Sequence, residues 1–216
     1  MKFAQGWMFP DDETHLPEMI VKQSRDCGIP GYQVRSRNKS LFDLAGTRYR
    51  HAIDVGANVG LWARDLCEKF GIVTAFEPID DFRACLQENV RADNLRIESC
   101  ALGNRNGTTQ MIRIAGNAGH THVDAKSESG TIQIRTLDSY DFQTVDYIKI
   151  DCEGYEYEVL EGARETILRC RPRICVEQKP HGIFGNQYRA RDLLITWGMI
   201  ALPHHGDDWV LDWPKK

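Results

Sequence analysis

Short apolar runs alternate with amphipathic segments from residue 51 to the end of this 216-residue chain, and this alternation constrains the fold most. The apolar runs predict strands, and the segments between them repeat apolar side chains at helical spacing. The predicted strands are 52–55, 72–76, 95–102, 145–151, 173–177, 199–202 and 209–211, and the predicted helices are 61–70, 80–90, 155–168 and 188–197. This order predicts an α/β fold with a mostly parallel sheet and helices on both faces.

Residues 1–50 do not follow the alternation, and we treat them as an N-terminal extension to a core domain of residues 51–216. They contain three prolines, scattered aromatic side chains and no obvious long periodic helix. Residues 1–20 carry a net charge of −3, whereas residues 21–50 carry +5. We expect the extension to pack on the core or to cover a site as a lid, and a plain structural arm is the alternative.

The composition excludes several classes of protein. Hydrophobic residues make up 42% and charged residues 27% of the chain, as in ordinary globular domains. The net charge of −4 gives no support to nucleic-acid binding by bulk charge. No apolar stretch approaches the roughly 20 residues of a membrane helix, and no signal-peptide core is seen. Seven cysteines without a C-x-x-C pair are expected to be reduced, which predicts a cytoplasmic location.

A glycine-rich turn, Asp54-Val55-Gly56-Ala57-Asn58-Val59-Gly60, joins the first predicted strand to the first predicted helix. Gly56 permits a tight turn, Gly60 permits close approach of the helix to a strand or ligand, and the following helix N-terminus favours an anionic group. Glu77 closes the second strand, where an acidic residue can accept hydrogen bonds from ribose hydroxyls.

The glycine spacing separates the candidate cofactors. Dinucleotide sites use G-x-G-x-x-G, whereas this turn reads G-x-N-x-G and carries Asp54 two residues before its first glycine. A carboxylate there repels a pyrophosphate but suits a ligand with one amino group and one carboxylate. S-adenosylmethionine has both groups, so the spacing favours it over a dinucleotide and over a turn without a ligand.

Further motifs follow in order over residues 50–180. They are Ala75-Phe76-Glu77-Pro78, Ala101-Leu102-Gly103-Asn104, Arg135-Thr136-Leu137-Asp138, Ile148-Lys149-Ile150-Asp151-Cys152-Glu153-Gly154-Tyr155-Glu156, Val159-Leu160-Glu161-Gly162-Ala163 and Val176-Glu177. With them, the chain resembles the FkbM family of class I S-adenosylmethionine-dependent methyltransferases. The resemblance implies a Rossmann-like fold with a seven-stranded sheet in the order 3-2-1-4-5-7-6, strand 7 being antiparallel. It also implies hydroxyl substrates, often on sugars or polyketides. The segment 7–13 is similar to phage-encoded members, which implies a host cytoplasm as the location.

The resemblance also implies roles for residues in the turns after the first three strands. Asp54, Gly56, Asn58 and Gly60 would hold the methionine end of the cofactor, Glu77, followed by Pro78, would hold the ribose, and Ala101 and Leu102 would flank the adenine. Ligands of open α/β sheets bind at this edge, beyond the carboxyl ends of the strands.

Asp151 and Glu153 follow the fourth predicted strand and are the main candidates for a general base. A hydroxyl is a poor nucleophile at neutral pH, so its methylation needs a base within hydrogen-bond reach or a metal that lowers its pKa. Both carboxylates can point toward the ligand site at the carboxyl ends of the strands, and their pairing would raise the pKa of one of them. Alternatively, one of them caps the helix predicted from residue 155. We assign no metal site.

Three further residues are candidates for the catalytic site. Glu177 ends the fifth strand, Lys149 lies two residues before Asp151 on the same strand face, and His181 lies four residues after Glu177 as a potential acid–base partner. Lys149, Asp151 and Glu177 partly resemble the Lys-Asp-Lys-Glu tetrad of RNA ribose 2′-O-methyltransferases, for which Lys39 or Lys179 would be a further lysine.

The polar insert after the third strand contains one of two histidine clusters. The clusters, His120-Thr121-His122-Val123-Asp124 and His204-His205-Gly206-Asp207-Asp208, are interpreted as exposed loop residues rather than metal sites. The 116–124 loop, made pliable by its glycines, is a candidate wall of an acceptor pocket.

The sequence therefore predicts a methyltransferase that uses S-adenosylmethionine and acts on a hydroxyl of a sugar, glycan or small metabolite, with no membrane partner. The alternatives are an RNA ribose 2′-O-methyltransferase, although nucleic acid is a poor match for the charge, and a non-catalytic module that binds the cofactor or a glycan.

Overall fold

The computed structural model of the protein describes residues 1–27, 49–124, 126–127, 129–178, 188–203 and 206–215. The strands are β1 (Lys2–Ala4), β2 (Trp7–Phe9), β3 (His51–Val55), β4 (Ile72–Phe76), β5 (Leu95–Glu98), β6 (Ala101–Leu102), β7 (Gly107–Thr109), β8 (Met111–Ile112), β9 (His122–Val123), β10 (Ile132–Arg135), β11 (Tyr147–Ile150), β12 (Arg173–Glu177), β13 (Ile200–Ala201) and β14 (Asp208–Asp212). The helices are α1 (His15–Cys27), α2 (Leu61–Cys67), α3 (Asp80–Asn89), α4 (Glu156–Glu161), α5 (Arg164–Cys170) and α6 (Arg189–Thr196). Among these helices, none is both long enough and apolar enough to cross a bilayer.

The central sheet has seven strands in the order β5-β4-β3-β11-β12-β14-β13. The pairs from β5 to β12 are parallel, whereas β14 is antiparallel to both of its neighbours. Numbered along the core, this order is 3-2-1-4-5-7-6 with strand 7 reversed. The predicted fold is therefore confirmed.

The two faces of the sheet are both buried, and they carry different side chains. Ile53, Ile148 and Ile174 pack on one face against α4, α5 and α6. Ala52 and Tyr147 lie on the other face, packed against α2. Because strand residues alternate between faces, the polar residues two positions further along β3 and β11 fall on the α2 face. Asp54 and Lys149 therefore lie beside each other in register.

The first 27 residues form a hairpin and a helix that share a hydrophobic cluster with the core. Trp7 and Phe9 are buried in this cluster with Phe82 of α3. The Asn89 side chain accepts a hydrogen bond from the Met8 N–H at 2.7 Å and donates one to the Met8 carbonyl at 2.9 Å. This part of the extension is thus packed on the core. Most of the basic stretch at 21–50 lies outside the described residues.

The expectation of no periodic helix in the extension is wrong, because α1 spans 13 residues. Leu16 and Ile20 of this helix point into the shared cluster at a spacing of four residues. Pro17 is tolerated because it lies in the first turn, where N–H groups have no intrahelical acceptor. Glu13 Oε1 accepts a hydrogen bond from one of these N–H groups, that of Leu16, at 2.7 Å.

Two predicted elements are split. The strand predicted at 95–102 divides into β5 and β6, and β6 pairs with β10 in a separate three-stranded sheet. The helix predicted at 155–168 divides into α4 and α5. At the break, the Asp138 carboxylate accepts hydrogen bonds from Glu165 and Thr166 at 3.0 and 2.8 Å, so α5 begins with its own cap.

Candidate active site

The carboxyl ends of β3, β4, β11 and β12 open into a cavity of about 400 Å³, which is within the size range of small-molecule sites. Its floor consists of residues at or after the ends of these strands, and its roof consists of residues of α1 and the 117–121 segment of the insert. Of the predicted site residues, the cavity is lined by Gly56, Asn58, Glu77, Pro78, Ala101, Leu102, Lys149, Asp151, Glu153 and Glu177. Asp54 and Gly60 do not line it, and His181 lies outside the described residues.

Gly56 is required by the close approach of β11 to the turn. Its φ is +75°, and a Cβ at this position would lie 2.0 Å from the backbone carbonyl oxygen of Asp151. Only glycine avoids both the clash and the left-handed backbone penalty. Gly56 therefore sets the distance between the glycine turn and the candidate base.

The N–H groups of the glycine turn donate hydrogen bonds to other groups of the protein. Gly56 and Ala57 both donate to the Phe76 carbonyl at 3.1 Å, Asn58 donates to Glu77, and Val59 donates to the Asn58 side chain. In this arrangement the turn presents side chains to the cavity rather than free backbone donors. The Asn58 amide also reaches the roof, since its Nδ2 donates to the Ala118 carbonyl at 3.1 Å.

Gly60 permits a contact between helices rather than with a ligand. Its φ is +94°, and a Cβ would lie 2.5 Å from Leu86 Cδ1 and 2.9 Å from Val90 Cγ2. Gly60 thus lets α2 begin against α3 and its C-cap residue.

Glu77 lies at the end of β4 and joins the turn to the start of α3. Its two carboxylate oxygens accept hydrogen bonds from the N–H groups of Asn58 and Ile79, both at 2.8 Å. Burial raises the pKa of Glu77 to about 7 in spite of these two donors. Each oxygen keeps a lone pair, and the side chain lines the cavity, so Glu77 can accept further hydrogen bonds from a ribose.

Ala101 and Leu102 are buried and line the cavity beside Phe76 and Cys100. This apolar wall lines the same cavity as Glu77 and Pro78, and its role beside the adenine stays a prediction.

Asp151, Glu153 and Glu177 come together at the ends of β11 and β12. One carboxylate oxygen from each lies within 4.8 Å of the other two. Asp208, which the sequence reading placed in a polar loop, begins β14 opposite Glu177 and also lines the cavity. The floor can therefore take up a proton, and the same three carboxylates are a donor set that a hard divalent cation can use.

Lys149 lies beneath Asp151 and carries its charge in a buried position. Its Nζ is 3.1 Å from Asp151 Oδ2 and 3.8 Å from Asp54 Oδ1. Burial alone would lower the pKa of Lys149, but the two carboxylates raise it above its ordinary value. The ammonium also lies 5.6 Å from the centre of the Trp62 ring. Lys149 is therefore a charged group that holds Asp151 from below.

Asp54 is fully buried on the α2 face, away from the cavity. Neither of its carboxylate oxygens has a hydrogen-bond partner among the described residues. Burial raises its pKa to about 6, although Lys149 acts in the opposite direction. In this structure Asp54 is a counter-ion of Lys149.

Glu156, which sequence reasoning did not assign to the site, shapes the turn that carries Glu153. Its Oε1 accepts hydrogen bonds from the N–H groups of Cys152 and Gly154 at 2.9 and 3.0 Å. Burial raises the pKa of Glu156 to about 7. The N-cap residue of α4 is Tyr155, and no side chain makes a capping hydrogen bond there, so neither Asp151 nor Glu153 is the cap. The backbone of this turn is strained at Glu153, whose φ is +52°.

In the first histidine cluster, the expectation of exposed loop residues is wrong for His122. His122 lies on β9 and is buried, whereas His120 is exposed. Within the described residues, the spacing that a shared metal ion needs is met only by Asp151, Glu153 and Glu177. His204 and His205 lie outside the described residues.

The fold is shared with solved methyltransferases of low sequence identity. Methyltransferase FkbM from Methylobacillus flagellatus matches 82% of this chain with a TM-score of 0.57 and 19% identity. The match covers 48% of that chain, so this chain spans about half the length of that relative. Precorrin-6y C5,15-methyltransferase from Geobacter metallireducens matches with a TM-score of 0.51 and 14% identity, over 87% of this chain and 90% of that one.

Magnesium protoporphyrin IX methyltransferase from Synechocystis, solved with bound S-adenosylmethionine, matches 94% of this chain and 85% of its own, with a TM-score of 0.51 and 11% identity. No curated protein matches the sequence. The methyltransferase FkbM domain matches residues 54–197, which is well over half of the chain and includes the glycine turn, Glu77 and the acidic cluster. The chain belongs to the FkbM methyltransferase family.

Proposed function

We propose that the protein is an O-methyltransferase that acts on an uncharged hydroxyl of a sugar, a glycan or another small hydroxylated metabolite. The observation that carries the proposal is the group of carboxylates, Asp151, Glu153 and Glu177, which faces the same cavity as the glycine turn and Glu77. An alcohol needs a proton acceptor at the moment of methyl transfer, and this group supplies one.

The residues of the cavity fit S-adenosylmethionine as the cofactor. Glu77 offers an acceptor for the ribose, and the apolar wall of Ala101 and Leu102 suits the adenine. The carboxylates of the floor favour the positive charge of a sulfonium and an amino group. When bound, S-adenosylmethionine supplies an electrophilic methyl group, and the remaining work of the protein is orientation and proton removal.

Asp151 is the first candidate for the base. Its side chain is 28% exposed, which leaves it accessible from the cavity, and Lys149 fixes its Oδ2 from below. In the proposed reaction Asp151 accepts the hydroxyl proton while the oxygen bonds to the methyl carbon. The products are then a methyl ether, S-adenosylhomocysteine and a proton that is released to solvent. Glu153, which lies within reach of the same position, is the second candidate.

The charge of the cavity favours a neutral acceptor over RNA. Among the described lining residues are five acidic side chains, Glu77, Asp151, Glu153, Glu177 and Asp208, and one ammonium group, that of Lys149. A phosphodiester would meet like charge at this floor. Lys149, Asp151 and Glu177 do lie near one another, as the RNA alternative requires, but Lys149 is only 3% exposed and is already paired with two carboxylates.

A panel of acceptors tests the proposal. The purified protein is incubated with S-adenosylmethionine carrying a deuterated methyl group and with methyl α-glycosides of glucose, galactose, mannose and rhamnose, polyols, or a structured RNA. Mass spectrometry of the products should show methyl ethers in the glycoside or polyol samples. Methylation of RNA alone, together with RNA binding that weakens steeply with salt, would contradict the proposal.

A chelator arm of the same assay separates the base from a metal. If a carboxylate is the base, transfer continues after treatment with EDTA. Loss of transfer that added Mg²⁺ restores would instead assign Asp151, Glu153 and Glu177 to a cation.

A further inference from the structure

We infer that the roof of the cavity is the acceptor-recognition site, in which Gln23, Asn117 and Thr121 hold the hydroxyl groups of an uncharged polyhydroxy acceptor. This inference rests on the proposed function and deepens it, because it assigns the selection of the acceptor to residues that lie outside the family motifs.

The roof is a built structure. Glu13 is only 1% exposed, and its carboxylate accepts hydrogen bonds from the N–H groups of both Leu16 in α1 and Ala118 in the insert. The N–H groups of Thr14 and His15 both donate to the Gly116 carbonyl at 3.1 Å. These contacts join two segments that are about a hundred residues apart in the chain. The extension and the insert therefore form one surface above the carboxylates.

Three polar side chains of this surface have buried oxygens without partners. Gln23 Oε1, Asn117 Oδ1 and Thr121 Oγ1 are each inaccessible to solvent and make no hydrogen bond among the described residues. All three residues line the cavity. A buried oxygen without a partner destabilises a protein, so such groups are normally satisfied by a ligand or by ordered water. Because the three residues line the cavity, a rotation of each side chain can bring its oxygen to a bound hydroxyl, and the three then form a set of hydrogen-bonding positions for a ligand.

The chemistry of these groups identifies the class of acceptor. Amide and hydroxyl side chains can both donate and accept hydrogen bonds, as can the hydroxyls of a sugar or polyol. Within the described part of the roof no Lys, Arg, Asp or Glu lines the cavity. Two histidines, His15 and His120, also line the roof, and an imidazole can donate and accept hydrogen bonds as well. A phosphate or carboxylate on the acceptor would face the acidic floor. An uncharged molecule with several hydroxyls matches both surfaces.

Near-isosteric variants test the inference. Thr121→Val, Asn117→Leu and Gln23→Met each replace an unpartnered polar group by an apolar one of similar size. The readouts are the Tm of the free protein, the Kd for S-adenosylhomocysteine by titration calorimetry, and kcat and KM for the best methyl glycoside of the panel. We expect an unchanged or higher Tm, an unchanged Kd and a KM raised about tenfold per variant.

Two control variants separate recognition from general damage. Thr121→Ser keeps the hydroxyl and should retain the KM of the wild type. Lys22→Met changes an exposed residue on the same helix and should leave all readouts unchanged.

The possible results distinguish a failure of the roof inference from a failure of the proposed function. If the wild type methylates glycosides and the three variants do so with unchanged KM, the roof inference is wrong while the proposed function stands. If the variants instead weaken the binding of S-adenosylhomocysteine, the roof holds the cofactor and the inference is also wrong. If the wild type methylates no uncharged hydroxyl compound, both proposals fail.

Discussion

Removal of Lys149 is the perturbation whose effect follows most directly from the buried charges. Lys149→Met keeps the length of the side chain and removes the ammonium that lies between Asp54 and Asp151. Asp54 is 0% exposed and has no hydrogen bond within the described residues to compensate. Loss of one partner of a buried ion pair typically costs about 3–5 kcal/mol, because the remaining charge stays desolvated. We expect a loss of this size in the free energy of unfolding at pH 8.

The pH dependence of this loss has a defined sign. In the wild type, burial raises the pKa of Asp54 from 3.8 to about 6, against the opposing effect of Lys149. The folded protein therefore binds this proton more tightly than the unfolded chain, and the contribution of Asp54 to stability falls as pH rises from about 4 to about 6. Without Lys149 the pKa of Asp54 rises further, so in the variant the decline continues above pH 6. The cost of the substitution should thus be smaller at pH 5 than at pH 8.

Urea unfolding of four proteins measures the effect: the wild type, Lys149→Met, Asp54→Asn and the double variant, each at pH 5 and pH 8. The double variant should be more stable than Lys149→Met at pH 8, because no unpaired carboxylate remains at position 54. A coupling energy below about 0.5 kcal/mol would refute the reasoning. A cost for Lys149→Met that is equal at the two pH values would also refute it.

Three further predictions concern the cofactor site and the turns that carry it. Glu77→Ala should weaken S-adenosylhomocysteine binding by about 1–3 kcal/mol in titration calorimetry, and an unchanged Kd would remove Glu77 from the ribose site. Glu156→Gln should retain stability at pH 8, because a single oxygen accepts both N–H groups of the 152–154 turn, whereas Glu156→Ala should lose about 1–3 kcal/mol; equal stability of the two variants would contradict this role. Gly56→Ala should abolish folding or activity, whereas Gly198→Ala, which has φ +93° but no atom within 4 Å of a Cβ, should cost only about 1–2 kcal/mol in thermal unfolding. Similar losses for these two alanine variants would show that the approach to β11 is not what requires glycine.

The fold and the floor of the site could be predicted because they depend on local patterns. Alternating strands and helices indicate a parallel sheet, and the carboxyl ends of parallel strands meet at one edge. Asp151 and Glu177 end neighbouring strands, so they were expected together, and the structure brings them within 4.8 Å. The order of the strands came from the resemblance to the family rather than from periodicity.

The rest depends on contacts between distant segments. Glu156 reads in the sequence as an ordinary acidic residue of a helix's first turn, and only the folded turn shows that it binds two N–H groups of the preceding loop. The roof needs α1 to meet the insert through Glu13, and no local pattern links the two segments. The position of Asp54 on the α2 face could have been deduced, since strand alternation places it opposite to Ile53.

In the proposed reaction Asp151, or Glu153 as the second candidate, removes the proton from an uncharged acceptor hydroxyl. The most direct test measures the rate of deuterated-methyl transfer to the best methyl glycoside by the wild type and by the Asp151→Asn, Glu153→Gln double variant. Calorimetry with S-adenosylhomocysteine is run on both proteins to confirm that the cofactor site is intact. We predict that the double variant binds S-adenosylhomocysteine and loses transfer by a factor of about 10²–10⁴, the usual contribution of a general base. Unchanged turnover by a double variant that binds S-adenosylhomocysteine normally would contradict the claim.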